Sequence, residues 1–343
     1  MLKEKNAYVV AVIGATGAMG RETIELLAER KFPVAELRPF ASERSEGERV
    51  EFRGKSVTAK KAARDSFEDA DIAIFSAGAE RSREFVPAAV KAGAVVIDCS
   101  SAFRRDPMVP LVAAGVNDRV MNGRSSIIAS PGSASLGMAT ALKPIHDKAG
   151  LKRTVVTAFE SVSGTGKGAI DELASQTVAL LNFRDIEKNV YPHQIAFNCL
   201  PHVGAFGDSG CTREETALME EAVRILGDNS VRVTATAVLV PVFRGHALSV
   251  NIETGNKISA NEARAVLSGV PGIVVYDEPK RNLYPVAIDV TGKDEIYIGR
   301  IREDESIQNG LNLWIALDNV RAGALNAVRI AELMIAQKRA PGA

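Results

Sequence analysis

Apolar and polar positions follow two different rhythms along this chain, and the change falls near residue 150. In the first part, short continuous apolar runs each lead into small polar residues or glycine. Tyr8 to Ile13 leads into Gly14, Asp71 to Phe75 into Ser76-Ala77-Gly78, and Ala94 to Ile97 into Asp98-Cys99-Ser100-Ser101. Such runs predict strands buried on both faces. Between them lie stretches at helical spacing, with Ile24, Leu26 and Leu27 in one and Phe85, Ala88, Ala89 and Val90 in another. Strands alternating with helices predict an α/β architecture on a mostly parallel, doubly wound sheet, with ligands at the carboxyl ends of the strands.

Beyond residue 150 the strand-like segments are longer and alternate: Thr154 to Phe159, Val231 to Val242, Ala247 to Glu253 and Glu295 to Ile301. Helical stretches at Ala169 to Leu181 and Glu214 to Leu226 separate them. This predicts a second domain of α+β type on a mixed or antiparallel sheet. Leu311 to Leu317 reads as a strand, and an apolar helix from Ala324 to about Ile335 is expected to return to the first domain. The division expected is therefore a first domain over 1–131, completed by the helix 324–343, and a second domain over 132–323.

The first apolar run ends in Gly14-Ala15-Thr16-Gly17-Ala18-Met19-Gly20, immediately before a helical stretch. Glycines at a strand-to-helix turn let the backbone approach a pyrophosphate, and the helix N-terminus favours its charge. Gly14, Thr16, Gly17, Ala18 and Met19 are thus candidate cofactor contacts, with Ser76 and Gly78 at the end of a later strand. The second strand, near Leu37 to Phe40, runs into Ala41-Ser42-Glu43-Arg44-Ser45. A carboxylate there suits the ribose hydroxyls of NAD, and a cation with hydroxyl donors suits the 2′-phosphate of NADP. Ser42, Arg44 and Ser45 favour NADP against the single carboxylate of Glu43.

Charge narrows the classes further. Forty-two basic residues balance forty-two acidic ones and no basic block stands out, which argues against a nucleic-acid or anionic-membrane partner. No apolar stretch reaches the roughly 18 to 20 residues of a membrane span, and the first residues lack the apolar segment of a secretory signal, so a cytoplasmic protein is expected. Cys99, Cys199 and Cys211 are too widely spaced for a metal site or a disulfide framework, so no metal is expected.

The residues then carry a resemblance over essentially the whole chain. Gly14 to Gly20, Phe75 to Gly78, Ser100-Ser101-Ala102-Phe103-Arg104, Val162 to Lys167, Val240 to His246, Gly299 to Asp304 and Asn309 to Trp314 are similar to motifs of the aspartate-β-semialdehyde dehydrogenase family. The resemblance implies a Rossmann-type first domain, a dimerisation and catalytic second domain, NADP, and a homodimer or homotetramer acting on a small molecule. It makes His246 the acid/base residue, Arg104 and Glu215 substrate-binding residues, and Cys99 and Asn319 neighbours of the nicotinamide. His193 and His202 are read as structural. The family's reaction reduces aspartyl phosphate to the semialdehyde through a thioester on a cysteine.

The chain departs from the family where that chemistry happens. The nucleophile's run Asn-Pro-Asn-Cys is Ser130-Pro131-Gly132-Ser133 here; the substrate-carboxylate arginine falls on Leu239, a lysine on Ala217, the orienting glutamine on Glu160, and an asparagine near the nicotinamide on Cys99. A serine would form an oxygen ester, a poorer hydride acceptor than a thioester. The reading is an NADP-dependent oxidoreductase with non-covalent hydride transfer to or from a carbonyl or imine, using Ser133, Glu160 and His246 as catalytic residues and Leu239 as a substrate contact. Two alternatives stand beside it. One is a non-catalytic paralogue with a regulatory or assembly role; the other is a semialdehyde dehydrogenase whose nucleophile is replaced, or relocated to Cys99.

Overall fold

The computed structural model describes residues 2–121, 123 and 125–339. The chain divides into two compact units, one ending at Gly132 and resuming at Gly323, the other spanning Ser133–Ala322.

The first unit runs β1 (Tyr8–Ile13), α1 (Ala18–Glu29), β2 (Val34–Ala41), β3 (Arg49–Phe52), β4 (Lys55–Thr58), β5 (Lys60–Lys61), β6 (Ile72–Phe75), α2 (Ala79–Lys91), β7 (Val95–Asp98) and β8 (Ile127–Ala129). Six strands form a parallel sheet in the order β5-β2-β1-β6-β7-β8. Alternate residues point to opposite faces of a strand, and here each face has its own core. Val10, Val12, Ile72, Ile74, Val95 and Ile97 join one cluster with Ile24, Leu26 and Leu27 of α1. Ala11, Ile13, Ala73, Phe75 and Val96 join the other with Phe85, Val86 and Ala89 of α2. Both faces are dry, which is why the strands read as unbroken apolar runs. The chain order reverses between β1 and β6, and the turn after each strand therefore opens at a switch point.

A two-stranded hairpin of β3 and β4 lies outside the parallel sheet and was not anticipated from the sequence. Its turn residues Arg53 and Gly54 both have positive φ (51° and 72°), the pattern of a type I′ turn. Arg at the first position hides the signal that Asn or Asp before glycine would give.

The second unit runs α3 (Ser133–Ala149), β9 (Leu151–Glu160), α4 (Lys167–Leu181), α5 (Arg213–Leu226), β10 (Arg232–Leu239), β11 (His246–Thr254), α6 (Ala260–Ser268), β12 (Ile273–Val275), α7 (Ala287–Val290), β13 (Ile296–Asp304) and β14 (Gly310–Leu317). Its sheet has the order β10-β9-β11-β14-β13-β12 and is mixed, with antiparallel pairs in the centre and parallel pairs at both edges. The expected strand over Val231 to Val242 stops at Leu239, two residues before Pro241, which has no N–H for a ladder.

α8 (Asn319–Arg339) begins five residues before the expected Ala324. The reason is Asp318: its carboxylate accepts hydrogen bonds from the N–H groups of Val320 and Arg321, both at 3.0 Å, the action of an N-cap. The helix continues through Gly323, and Ala324 to Ile335 join the core beside α1.

Candidate active site

At the first switch point the backbone is shaped by glycine. Gly14 has φ +85°, and a Cβ there would lie 2.9 Å from the Ser76 carbonyl carbon, so the turn after β1 presses on the turn after β6. Gly17 caps α1 with no side-chain hydrogen bond, and no acidic residue stands in the first turn of that helix. Gly78 (φ +87°) caps α2 in the same uncapped way, with open space where a Cβ would be. Two helix N-termini without a side-chain cap suit a pyrophosphate. Thr16 is half-buried and Ala18 exposed on this loop. Met19 instead packs on the core, and a Cβ at Gly323 would meet its methyl at 2.9 Å. The Ser76 hydroxyl donates to the Ile13 carbonyl at 2.9 Å and ties the two strand ends together. After β2, Ser42 and Arg44 are exposed and Ser45 half-buried, while Glu43 pairs with Lys61 at 3.0 Å.

The loop after β7 is held from within. Asp98, fully buried, accepts from the Ser82 hydroxyl (2.7 Å), the Ser100 N–H (3.2 Å) and the Ser100 hydroxyl (2.9 Å). Burial raises its carboxyl above the ordinary range, against the pull of those bonds and of Arg104. Arg104 donates from Nε to the Ser130 carbonyl (2.8 Å) and from Nη2 to the Cys99 carbonyl (2.7 Å), bracing the loop against the end of β8. Burial, reinforced by Asp98, pushes the Cys99 thiol up to about 12. A thiol in that state has almost no thiolate at neutral pH.

In the second unit, sheet register assembles a polar cluster. Ala247 pairs with Phe159 and His246 with Leu317, so Glu160 at the end of β9, His246 at the start of β11 and Asn319 after β14 reach one end of the sheet. His246 is 2% exposed and Glu160 6%. The imidazole Nε2 lies 3.7 Å from Glu160 Oε2, and the other carboxyl oxygen, Oε1, is buried with no hydrogen-bond partner. On the far side of the ring, Nδ1 accepts the Ser161 N–H at 3.1 Å, with the Ser161 hydroxyl at 3.2 Å. The Asn319 amide oxygen accepts from Gly245 N–H (3.0 Å), and its nitrogen donates to the Ser163 hydroxyl (3.0 Å), which stands 3.0 Å from the Ser161 hydroxyl. Burial lowers His246 to about 4, outweighing Asp318 and the Gly245 carbonyl, which favour the protonated ring. Burial raises Glu160 well above the carboxylate range, and the charge of Glu214 adds to it. Burial therefore works against the charged form of both partners, and so against an ion pair.

The sequence agrees with two consecutive family models. Residues 9–123 match the semialdehyde dehydrogenase NAD binding domain, and residues 142–322 match the semialdehyde dehydrogenase dimerisation domain. The aspartate-semialdehyde dehydrogenase of Aquifex aeolicus is 47% identical over 333 residues, covering 96% of this chain and 98% of that protein. The chain belongs to the aspartate-semialdehyde dehydrogenase family. The Legionella pneumophila enzyme of that name is 45% identical over 329 residues, covering 95% of each chain. The crystal structure of aspartate semialdehyde dehydrogenase II from Vibrio cholerae superposes with a TM-score of 0.92 at 44% identity, covering 96% of this chain and 99% of that one.

Within this family scaffold the predicted residues separate into groups. Glu160 and His246 meet. Ser133 opens the first turn of α3 and is half-buried. Leu239 is 3% exposed and packs among Val162, Leu173, Tyr191, Ile195 and Leu200, so it fills the core. Glu215 has both oxygens engaged, Oε2 by Thr212 N–H (2.7 Å) in a capping box and Oε1 by Ala237 N–H (3.1 Å). Burial works to raise its carboxyl, but these bonds prevail and hold it below the ordinary range. Asn319 is committed to the network around His246. Ser161 was not singled out, and Ser163 was noticed only inside a motif; neither residue type announces a role without the fold. Among the described residues no group of three or more His, Cys, Asp or Glu could hold a metal ion, and no helix is long and apolar enough to cross a membrane.

Proposed function

We propose that this chain is a cytoplasmic, homodimeric or homotetrameric NADP-dependent oxidoreductase that moves a hydride to or from a carbonyl or imine carbon without a covalent thioester. The observation that carries the reading is the lack of a usable thiol at positions 133 and 99: serine stands at position 133 on the first turn of α3, and the Cys99 thiol is pushed up to about 12. The nicotinamide, when bound, supplies or accepts the hydride. The turns around Gly14, Gly17 and Gly78 would hold its pyrophosphate. Reduction of a carbonyl needs one proton at oxygen for each hydride at carbon, and the Glu160–His246 pair is the proton source; the reverse reaction returns that proton to the pair. Ser133 would hydrogen-bond the reacting heteroatom. Exposed Val178, Leu181 and Phe183, within the span matching the dimerisation-domain model, support self-association.

NADP over NAD rests on Ser42, Arg44 and Ser45, with Glu43 already engaged by Lys61. Titration with NADPH and NADH, followed by nicotinamide fluorescence, is expected to show selective NADPH binding. Arg44→Ala should weaken NADPH by about tenfold or more through loss of a charge-assisted contact to the 2′-phosphate, and leave NADH unchanged. Equal losses for both would remove Arg44 from the phosphate site, and no binding of either would leave no oxidoreductase reading.

Ser133→Cys alone is expected not to produce phosphate-dependent oxidation of aspartate semialdehyde. The carboxylate-binding arginine's position is a core leucine, and position 217 is alanine. Activity returning with that single change, or already present in the unaltered protein, would show that the altered chemistry is wrong.

A further inference from the structure

We infer that the backbone N–H of Ser161 locks His246 in the tautomer protonated at Nε2, which makes the imidazole a standing hydrogen-bond donor and leaves proton exchange to Glu160. The assignment of tautomer stands on geometry alone; its catalytic half rests on the function proposed above.

The two serine hydroxyls beside the ring can turn either way, since those of Ser161 (3.2 Å) and Ser163 (3.1 Å) also reach the Asn319 amide oxygen, but the Ser161 N–H has one direction only. Gly245 N–H donates to the Asn319 amide oxygen at 3.0 Å, which fixes the amide so that its nitrogen donates to the Ser163 hydroxyl at 3.0 Å. Ser163 can then donate to the Ser161 hydroxyl at 3.0 Å, and that hydroxyl to Nδ1 at 3.2 Å. Independently, the Ser161 N–H points at Nδ1 at 3.1 Å. Ser161 is fully buried, and this is the acceptor of its N–H, so protonating Nδ1 would orphan a buried donor. The neutral ring must then carry its proton on Nε2, the nitrogen that faces Glu160 at 3.7 Å.

A ring so held can gain a second proton only at Nδ1, where the Ser161 N–H already points, and it would then be a buried cation, which burial opposes. Glu160 is different: Oε1 has no partner, and its carboxyl can lose or take a proton while the ring donates to the resulting charge. The other titratable groups acting on the pair are Glu214 from the first turn of α5, Tyr191, and Asp318 ahead of α8 with its partner Arg244. Ser161 is thus a positioning residue.

The protein has four histidines, so long-range proton–nitrogen spectra of histidine-labelled protein are tractable, with His246 assigned by loss of its signals in His246→Asn. The expected pattern is an Nε2-protonated neutral ring from pH 5 to 8. An Nδ1-protonated ring, donating to the Gly245 carbonyl, or a midpoint near the ordinary 6.5 would overturn the assignment. Ser161 has φ −75° and ψ 154°, so proline fits its backbone while removing the N–H. Ser161→Pro should move protonation toward Nδ1, and Ser161→Ala, which keeps the N–H, should not. Identical spectra for the two variants would overturn the role of Ser161. In turnover, Glu160→Gln should abolish the pH midpoint of the profile; a midpoint that persists in this variant overturns the catalytic half. Absent nicotinamide binding would remove that half with the functional reading, and would leave the ring assignment standing.

Discussion

Gly20→Ala is expected to weaken NADPH binding by more than about a hundredfold and to destabilise the first unit by about 3 to 5 kcal/mol. A Cβ at this position would lie 2.1 Å from the Gly14 carbonyl oxygen and 2.7 Å from the Ala15 Cα. Both neighbours are backbone, so no rotamer change relieves the overlap; α1 must move away from the turn that follows β1. That movement disturbs the turn and the N–H groups at the head of α1 together, which is why stability and binding should fall together. Gly17→Ala provides the scale, because its Cβ would meet the same oxygen at 3.3 Å and a shift of a few tenths of an ångström accommodates it. Thermal unfolding and nicotinamide fluorescence on both variants check the order. Equal effects at the two positions, or a Gly20→Ala protein that binds as the wild type does, would contradict the account of the loop.

The second large effect is in the pH dependence of stability. Burial holds His246 at about 4, below its ordinary 6.5, so the unfolded chain binds more protons between those values and this group's contribution is complete above about 6.5 and lost as pH falls toward 4. Glu160 has the opposite sign. Its folded value lies above 4.5, the folded chain binds more protons above that point, and stability declines as pH rises toward the folded value. Above about 4.5 the two slopes oppose one another, each at most about 1.4 kcal/mol per pH unit, and the wild type should show a weaker dependence from this pair than either single variant. Glu160→Gln removes the falling slope, so its stability should climb with pH up to about 6.5. His246→Gln removes the rising slope, so its stability should decline. Denaturant unfolding at several pH values measures both, and parallel curves for the two variants would mean that the pair is not held as neutral ring and protonated carboxyl.

Much of the fold was legible from local pattern. The runs Tyr8 to Ile13 and Ala94 to Ile97 announce buried strands because a sheet covered on both faces leaves no polar positions to interrupt them. The hairpin of β3 and β4 was not legible, since Arg53 takes a positive φ that its side chain does not advertise. The start of α8 was missed for a related reason: Asp318 caps it through two N–H groups, and an aspartate before an asparagine reads equally well as a loop.

Ser133, Glu160 and His246 stood out in the sequence because residue type and neighbouring motif can be compared position by position. The sequence by itself determined the family, the two-part organisation, the glycine turn and the missing thiol at position 133, since each is a matter of residue identity or of periodicity along a continuous stretch. Only the tertiary structure decided which side chains are spent on holding the fold: Leu239 in an apolar core, Glu215 in a helix cap, Arg104 on two carbonyls. It also decided the state of Glu160 and His246, because they are 86 positions apart in sequence and meet only through the register of β9 against β11. Burial and hydrogen-bond direction set protonation, and both are properties of neighbours that the chain brings together only when it folds.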